Sequence, residues 1–583
     1  MINKNKILLS FLLLIIFVFT TQIYAAGGIE ITSGGKIVVS DAGTINIADG
    51  GFTNNGGTFT AGSGTMTMSG TTDATIGGTA STTFNTLTLS STGIISVDYT
   101  VNASTLNVNP NAKLTLNSEK SLTVTTFAIK SDATGTGTYV DNGTSNFTTQ
   151  TVEQYLTGTG EGSPIGRGYY VSSPVESAQS SVFSASGGNG LWSYSESGNA
   201  YTEITENNRA LNPMQGYAVR VGANAAVTYS GRLLNNGTIE NLTLSRTGTT
   251  NVKRGYHLIG NPYPSYLDWE TATKTNLMTS IWYRTYSTGN AMIFDTYNTA
   301  DGIGTNSNGN GAVTRYIPPM QAVWVKVDAD GNTGALTFNN TMRSHVSGGF
   351  LRNADATTQQ ILRLRVSNGI NNDEAIILVN EMASDVFDSY DSPKMSNENV
   401  EIPEIYTFAG SEKVAINGMN NIAPFKELVL GFKTGKSGTF TINATEIKNF
   451  DSENSIFIKD KLLDKLQNLV EKPVYEFSSD IANTENRFVL YMAKNVTEIS
   501  KIIFEPSVTI YKNANNQINV IIDGIAKCDG KLSVYNTLGQ EIISTKITSQ
   551  TTVLNSSFNS GIYLVSVNID GKKTVRKIVI NNF

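Results

Sequence analysis

The chain has 583 residues, which is enough for about four domains of ordinary size. Charged residues make up only 15 %, against a usual share of about 25 %, and 54 glycines accompany abundant Thr, Ser and Asn. This composition favours strands and turns over helices. The net charge is −6 and the sequence has no basic block, which argues against nucleic acid as a partner because its phosphates require clustered Lys and Arg.

Cysteine and histidine are scarce. The single thiol, Cys528, cannot form a disulfide within the chain, and we expect it to be a small semi-buried side chain rather than a nucleophile. His257 and His345 are the only histidines and lie far apart in sequence, which disfavours a His-based metal site or a catalytic triad. The sequence indicates no cofactor.

Residues 1–25 predict a secretory signal peptide. A positive start at Lys4 and Lys6 precedes an apolar stretch over residues 7–19, and Ala25 is small, as signal peptidase requires next to its cut. A membrane anchor is the alternative, but an anchor needs about 20 apolar residues. No later segment reaches that length, so we expect no transmembrane helix in the mature chain.

Residues 27–150 contain short runs in which apolar and polar residues alternate. Gly, Asn, Asp or Ser separates each run from the next. Strands this short bury a face only when they stack, so the pattern predicts a β-solenoid like a right-handed parallel β-helix. A β-sandwich with long loops is the alternative, because the runs follow no strict repeat length. The runs are 36–39, 44–47, 58–60, 65–68, 86–89, 105–108, 113–116 and 121–124.

Residues 151–345 contain an internal duplication, with copies at about 160–235 and 250–345. Four landmarks recur in the same order, and chance repetition of the whole set is much less expected than repetition of one. Each copy alternates aromatic and β-branched residues between proline-rich corners, which predicts two small β-modules. The landmark pairs are Arg167-Gly168-Tyr169 with Arg254-Gly255-Tyr256, Leu191–Tyr194 with Ile281–Arg284, Pro213-Met214-Gln215 with Pro319-Met320-Gln321, and Val227–Tyr229 with Leu336–Phe338.

Residues 355–500 predict a β-sandwich domain. Their strand candidates mix alternating positions with positions that are apolar on both faces. Within them, residues 461–470 place four leucines at helical spacing, which is compatible with one short helix or an irregular crossover.

The last module, residues 506–583, predicts seven short strands in about 75 residues, typical of a compact Greek-key sandwich. Gly539 suits a tight turn between two of the strands, because glycine adopts positive φ without steric cost.

Three motifs in this module resemble the type A C-terminal sorting domain of the type IX secretion system of Bacteroidetes. The motifs cover residues 534–541, 561–565 and 577–580. The resemblance implies an Ig-like sandwich that carries its cargo across the outer membrane, with the secretion machinery and a surface sortase as partners. It places the protein at the outer cell surface or outside the cell. The sorting-motif residues it implies are Tyr535, Gly539, Gly561, Tyr563 and Lys577.

Two loops contain enough oxygen ligands to be weighed as cation sites. Asp385, Asp388 and Asp391 fall within seven residues, but without EF-hand spacing a solvated acidic loop is favoured over Ca²⁺. Asp295, Asp301 and the Asn-rich stretch that follows are weighed in the same way, and a flexible loop is favoured there. We therefore expect no metal site.

Aromatic residues offer a second kind of surface. The four tryptophans could form a carbohydrate-stacking platform. Trp192 and Trp282 occupy equivalent places in the two copies, which favours a shared core position instead. The four are Trp192, Trp269, Trp282 and Trp324.

Function is predicted mainly from what the chain lacks. Residues 27–150 contain few acids, and no constellation of acid, base and nucleophile is evident. We therefore expect a non-enzymatic, all-β, exported surface protein, adhesin-like or structural, with a cell-surface glycan or protein as its possible ligand. The alternative is a carbohydrate-active enzyme or glycan-binding protein that uses the N-terminal region, which resembles β-helical stalks of adhesins and polysaccharide lyases by composition.

Overall fold

The computed structural model confirms an all-β chain, with 61 % strand and 2 % helix. Cys528 and residues 1–21 of the predicted signal peptide lie outside the residues it describes. Within the described ranges, no helix has the length and apolar character needed to cross a membrane. The described residues are 22–39, 41–158, 167–186, 190–234, 240–247, 254–287, 289–329, 332–345, 359–422, 426–450, 455–493, 507–513, 516–523, 529–554, 558–569 and 571–581.

The N-terminal region is a parallel solenoid of about six turns. Its strands are Gln22–Ala26 (β1), Ile29–Thr32 (β2), Lys36–Val38 (β3), Thr44–Ala48 (β4), Phe52–Asn55 (β5), Thr58–Thr60 (β6), Thr65–Gly70 (β7), Ala74–Gly78 (β8), Thr82–Ser91 (β9), Ile94–Val97 (β10), Val101–Val108 (β11), Lys113–Leu116 (β12), Ser121–Ile129 (β13), Ser131–Asp132 (β14), Gly135–Thr136 (β15), Thr138–Asp141 (β16) and Thr144–Leu156 (β17).

Side chains align in ladders along the solenoid, which confirms the predicted fold and shows the sandwich alternative to be wrong. One outward-facing ladder consists entirely of threonine, and an inward-facing ladder beside it is apolar over its first five steps. Successive threonines lie 21, 21, 19, 21 and 23 residues apart, so unequal turns conceal a repeat that the strand register keeps. The threonines are Thr44, Thr65, Thr86, Thr105, Thr126 and Thr149, and the apolar residues are Ile45, Met66, Leu87, Leu106 and Phe127.

The first strand overlaps the predicted signal peptide. Strand β1 pairs in parallel with β4 over all five of its residues. A cut after Ala25 would therefore separate most of β1 from the solenoid.

The duplicated region follows. Its strands are Arg167–Val171 (β18), Ala178–Gln179 (β19), Gly190–Ser195 (β20), Ala200–Glu203 (β21), Ala210–Leu211 (β22), Tyr217–Val221 (β23), Ala225–Ser230 (β24), Glu240–Leu244 (β25), Tyr256–Gly260 (β26), Tyr266–Asp268 (β27), Thr273–Thr275 (β28), Ser280–Tyr286 (β29), Met292–Asn298 (β30), Ile303–Gly304 (β31), Tyr316–Ile317 (β32), Ala322–Lys326 (β33), Gly334–Phe338 (β34) and Arg343–Ser344 (β35). Short 3-10 helices cover Ser180–Ser186, Trp269–Thr271 and Asn340–Met342.

The two copies share one strand order. The first copy forms the sheet β18-β23-β20-β21, and the second forms β26-β33-β29-β30 with β31 added at its edge. Trp192 lies opposite Ala218 in the first sheet, and Trp282 lies opposite Trp324 in the second, so the two landmark tryptophans occupy equivalent positions.

The landmark at the first strand is displaced by one residue. Tyr169 pairs with Val219, and its counterpart opposite Val325 is His257 rather than Tyr256. The Arg-Gly-Tyr match is therefore wrong as a structural alignment. The pairing with the following strand places Tyr169 and His257 at equivalent positions.

The copies interlock through their Pro-Met-Gln corners. The Ser172 N–H donates to the Met320 carbonyl at 2.8 Å, and the Gly260 N–H donates to the Met214 carbonyl at 2.7 Å. Both methionines have φ near +60°, a strained conformation for a side chain of this size. Met320 packs in the core shared by the first copy and the solenoid, whereas Met214 packs in the core of the second copy. Because each copy supplies a core residue to the other's side, the pair forms one unit.

The third region contains Gln360–Ser367 (β36), Asn372–Val379 (β37), Ser392–Pro393 (β38), Glu404–Ala409 (β39), Glu412–Met419 (β40), Leu428–Thr434 (β41), Gly438–Lys448 (β42), Ser455–Asp460 (β43), Lys465–Asn468 (β44), Val474–Ser479 (β45) and Ala482–Ala493 (β46). Ten strands follow one hydrogen-bonded path, β44-β43-β46-β41-β39-β40-β37-β36-β42-β45, with β38 paired to β40. The sheet curls so that Phe432 on β41 contacts Phe440 on β42 and Phe477 on β45 across one core.

Of the two alternatives for residues 461–470, the short helix is wrong, because these residues include a turn and a strand. A turn precedes β44, which pairs antiparallel with β43. Leu462 is 71 % exposed in the turn, whereas Leu469 is buried in the core. The leucines that are at helical spacing in the sequence therefore do not share one buried face.

The C-terminal module contains Ser507–Lys512 (β47), Ile518–Asp523 (β48), Gly530–Tyr535 (β49), Glu541–Ile547 (β50), Thr551–Leu554 (β51), Gly561–Ile569 (β52) and Lys572–Ile580 (β53). The sheets β47-β48-β51 and β50-β49-β52-β53 pack on one apolar core. The hydrogen bonds described for this module run between its own residues, for example from the Asn516 side chain to the Asn581 carbonyl at 3.1 Å.

Candidate functional sites

The sorting-motif residues occupy three environments. Gly539 has φ of +80° in the turn after β49, where the Asn536 side chain accepts the N–H groups of Leu538 and Gln540, each at 3.0 Å. Tyr563 packs against the core, with its ring 5.1 Å from that of Phe558, and Gly561 begins its strand.

Tyr535 and Lys577 point away from that core. The Tyr535 hydroxyl donates to Glu541 at 3.1 Å, and Lys577 is exposed on β53.

Each of the two histidines contacts a different part of the fold from its own strand or turn. His345 is 8 % exposed, and its ring nitrogens lie 2.9 Å from Thr115 Oγ1 and 2.7 Å from Thr138 Oγ1 of the solenoid. Burial lowers the pKa of His345 to about 3, so the ring is neutral at physiological pH. His257 lies 2.7 Å from the Ser245 carbonyl through Nε2, and burial lowers its pKa too. Both rings are engaged in packing contacts with the fold.

In the first candidate cation loop, residues 385–391, the carboxylates accept hydrogen bonds from backbone N–H groups. Asp388 accepts the Ser384 and Tyr390 N–H groups at 2.8 Å each, and Asp391 accepts the N–H of Gly418 at 3.0 Å. Asp385 pairs with Lys426 at 2.7 Å. These bonds hold the loop against β40 and use carboxylate oxygens that a cation would need.

The second candidate loop is anchored rather than flexible, so that expectation is wrong. Asp295 is fully buried and accepts bonds from Thr305 Oγ1 at 2.8 Å and from the Ser307 N–H at 2.6 Å. The Asn306 N–H donates to Glu374 of the third region at 2.8 Å. Over the described part of the chain, no group of three or more His, Cys, Asp or Glu side chains is arranged to hold a metal ion.

Asp301 is a buried carboxyl beside these loops. It is 8 % exposed, its Oδ2 has no hydrogen-bond partner, and the only bond described for its Oδ1 is a long one of 3.4 Å from Asn380. Burial raises the pKa of Asp301 to about 8. The carboxyl is therefore mostly protonated at neutral pH.

Three of the four tryptophans are buried. Trp269 and Trp282 are 0 % exposed and Trp324 is 6 % exposed, which excludes a continuous stacking platform. Trp192 differs, because it is half-buried and the guanidinium of Arg220 lies 5.5 Å from its ring centre. The shared core position predicted for Trp192 and Trp282 is therefore wrong for the first copy.

Turn carboxylates of the solenoid fasten one coil to the next. Asp49 accepts the Thr71 N–H at 2.6 Å, and Asp73 accepts the Ile94 N–H at 2.7 Å. Backbone hydrogen bonds lower the pKa of Asp49, which stays ionised as an acceptor. Both acids therefore have structural partners.

A shallow cleft of about 480 Å³ lies in the third region. Phe408, Met419 and Leu428 are among the side chains that line it. Carboxylates on its rim are paired with lysine, as in Lys413 with Glu485 at 2.7 Å. The cleft therefore has apolar contact area without an unpaired acid and base.

Comparison with known families defines the class as a secreted protein of the type IX pathway. Residues 509–581 match the secretion system C-terminal sorting domain. This match confirms the Bacteroidetes assignment and export to the cell surface or the extracellular space through that machinery.

The chain belongs to a family described as a domain of unknown function, DUF8693, whose model matches residues 79–492. The match runs from the solenoid through both copies to the end of the third region. No curated protein matches the chain.

Proposed function

We propose that the mature chain is a non-enzymatic surface protein, adhesin-like or structural, whose solenoid is a contact face or spacer. The observation that carries the proposal is the outer face of the sheet from β4 to β17. The all-threonine ladder lies beside a second ladder that is mostly Thr and Asn, formed by Asn46, Thr67, Thr88, Asn107, Ala128 and Thr151.

Such a face supports contact rather than catalysis. Its hydroxyl and amide groups can donate and accept hydrogen bonds, but they supply neither a general acid nor a general base at neutral pH. The turn carboxylates of the solenoid have backbone partners, and both histidine rings have polar partners within the fold. The proposal includes removal of the sorting module by a surface sortase after export.

The proposal is tested with purified full-length chain in a glycan array and a cell-adhesion assay, with sugar release measured in parallel. We expect saturable binding without sugar release. The double variant Thr86→Lys/Thr105→Lys should lower binding at least tenfold, and Thr53→Lys on the opposite sheet should stay within about twofold. Sugar release would contradict a non-enzymatic role, and the absence of any binding would remove the contact role.

Glycan binding by the first copy is a second candidate. Trp192 keeps a partly accessible ring beside Arg220, and aromatic rings provide apolar faces for sugars. Trp192→Ala should abolish array binding if this site is responsible and leave it unchanged if the solenoid is.

A further inference from the structure

The sorting module presents an apolar patch on the outer face of its four-stranded sheet. The patch consists of Ile562 and Leu564 on β52 with Val575 and Val579 on β53, which are 39 %, 40 %, 52 % and 48 % exposed. Ile562 lies directly opposite Val579, so the two side chains share a face. Contiguous apolar groups in this position are typical of an interaction surface.

Two sorting-motif residues lie in the same patch. Tyr535 pairs with Leu564, and Leu564 pairs with Lys577, so these three residues form one row across β49, β52 and β53. Gly539 and Tyr563 serve the turn and the core, and their presence is explained by folding. Tyr535 and Lys577 lie outside the core. The Tyr535 hydroxyl bonds Glu541 across the turn, whereas no polar contact is described for Lys577, which leaves recognition as the physical role of its side chain.

The charge around the patch selects a kind of partner. Lys577 and Lys573 lie on the outer face of β53, and no ion pair is described for either. The nearby Glu541 already accepts bonds from Tyr535 at 3.1 Å and from Lys531 at 3.3 Å. A complementary surface would therefore bring its own carboxylate to Lys577.

A second copy of the chain fits this face poorly. A twofold contact centred on the row would place Lys577 near its own symmetry mate, and like charges in an interface are unfavourable. The secretion machinery is the partner class that the family match gives this module.

We propose that the outer face of β49, β52 and β53 is the surface by which the sorting module docks on the secretion machinery. The machinery component offers apolar side chains against Leu564 and Val579 and a carboxylate opposite Lys577. The opposite face of the module, formed by β47, β48 and β51, takes no part in this contact.

The test uses the full chain expressed in a Bacteroidetes strain with a working type IX system. The surface-exposed and periplasmic fractions are measured by antibody labelling of intact and opened cells. Val579→Asp and Lys577→Glu should each lower the surface fraction at least tenfold, with retention in the periplasm. The matched control is Val553→Asp, because Val553 is 40 % exposed on β51 of the other sheet, and it should stay within about twofold of the parent.

Folding is checked by thermal unfolding of each purified full-length variant. Lys577→Arg should retain export, since it keeps the charge. Equal surface fractions for Val579→Asp and Val553→Asp would overturn the docking face, and normal export of Lys577→Glu would overturn the opposing carboxylate. Loss of a dimer in sedimentation with unchanged export would assign the face to a second copy and overturn the proposal.

Discussion

The two copies of the duplicated module have the same strand order but different surroundings. In the first copy, Trp192 remains half-buried beside Arg220. In the second, Trp282 is fully buried, and its indole N–H donates to the Pro393 carbonyl of the third region at 3.0 Å. Shared landmarks thus specify topology, whereas the neighbouring regions decide which of two equivalent side chains becomes core.

The regions that the family model covers, residues 79–492, contact one another. The first copy shares a hydrophobic core with the solenoid, and the second copy contacts both the solenoid and the third region. The second copy is therefore the structural centre of this body.

The largest predicted difference is between the two tryptophans. Trp282→Ala should lower the free energy of unfolding by about 3–5 kcal/mol, because it leaves a large cavity and an unpaired Pro393 carbonyl. Trp192→Ala should cost less than Trp282→Ala, about 1 kcal/mol, because its ring is only half-buried. Urea unfolding of the two variants measures both values, and equal losses would contradict the contrast between copies.

Asp301 should give the second copy a pH-dependent contribution to stability. The pKa of Asp301 is raised from 3.8 to about 8, so the folded state keeps a proton that the unfolded state releases. Stability should therefore fall as pH rises from about 4 to 8, by about 1.4 kcal/mol for each pH unit in the middle of that range. Asp301→Asn should flatten this slope in urea unfolding at pH 5, 7 and 9. Asp391 of the third region, whose pKa is raised to about 7, should add a contribution of the same sign over a narrower pH range.

Arginine provides a third contrast. Arg343 is 7 % exposed and donates to the Tyr139 carbonyl at 2.7 Å and the Leu234 carbonyl at 3.3 Å, which joins the second copy to the solenoid. Arg343→Met should cost about 2–3 kcal/mol by leaving buried carbonyls unpaired. The exposed Arg220 of the first copy is the matched control, and Arg220→Met should change the unfolding free energy by about 0.5 kcal/mol or less. Similar losses of unfolding free energy for the two variants would contradict a stabilising role for the contact between Arg343 and the solenoid.

The smallest expected effect is at His345, where the second copy contacts the solenoid. His345→Gln retains only part of the contact with Thr115 and Thr138, and it should cost about 1 kcal/mol at pH 7.5. Thermal unfolding checks this value against His257→Gln. A His345→Gln variant more stable than the parent would contradict this prediction.

The general fold could be predicted because alternation within short strands is a local property. The solenoid followed from runs such as Thr86–Leu89, although turns of 19 to 23 residues concealed its register. The leucines of residues 461–470 were compatible with a helix because their spacing is local, whereas their burial depends on distant strands. The order of the loop after Asp295 was equally hidden, since one partner, Glu374, lies 68 residues from Asn306.

The sorting residues could be named from their motifs but not sorted by role. Gly539 and Tyr563 serve the fold, while Tyr535 and Lys577 face outward. Only the pairing of β49, β52 and β53 separates these roles.

Calorimetric unfolding of the purified full-length chain tests most directly whether the solenoid, both copies and the third region form one cooperative unit, separate from the sorting module. We predict that the solenoid, both copies and the third region unfold in a single transition, which Trp282→Ala shifts as a whole, while the sorting module unfolds independently. Separate transitions for the solenoid and the third region, with only one of them shifted by Trp282→Ala, would contradict this account.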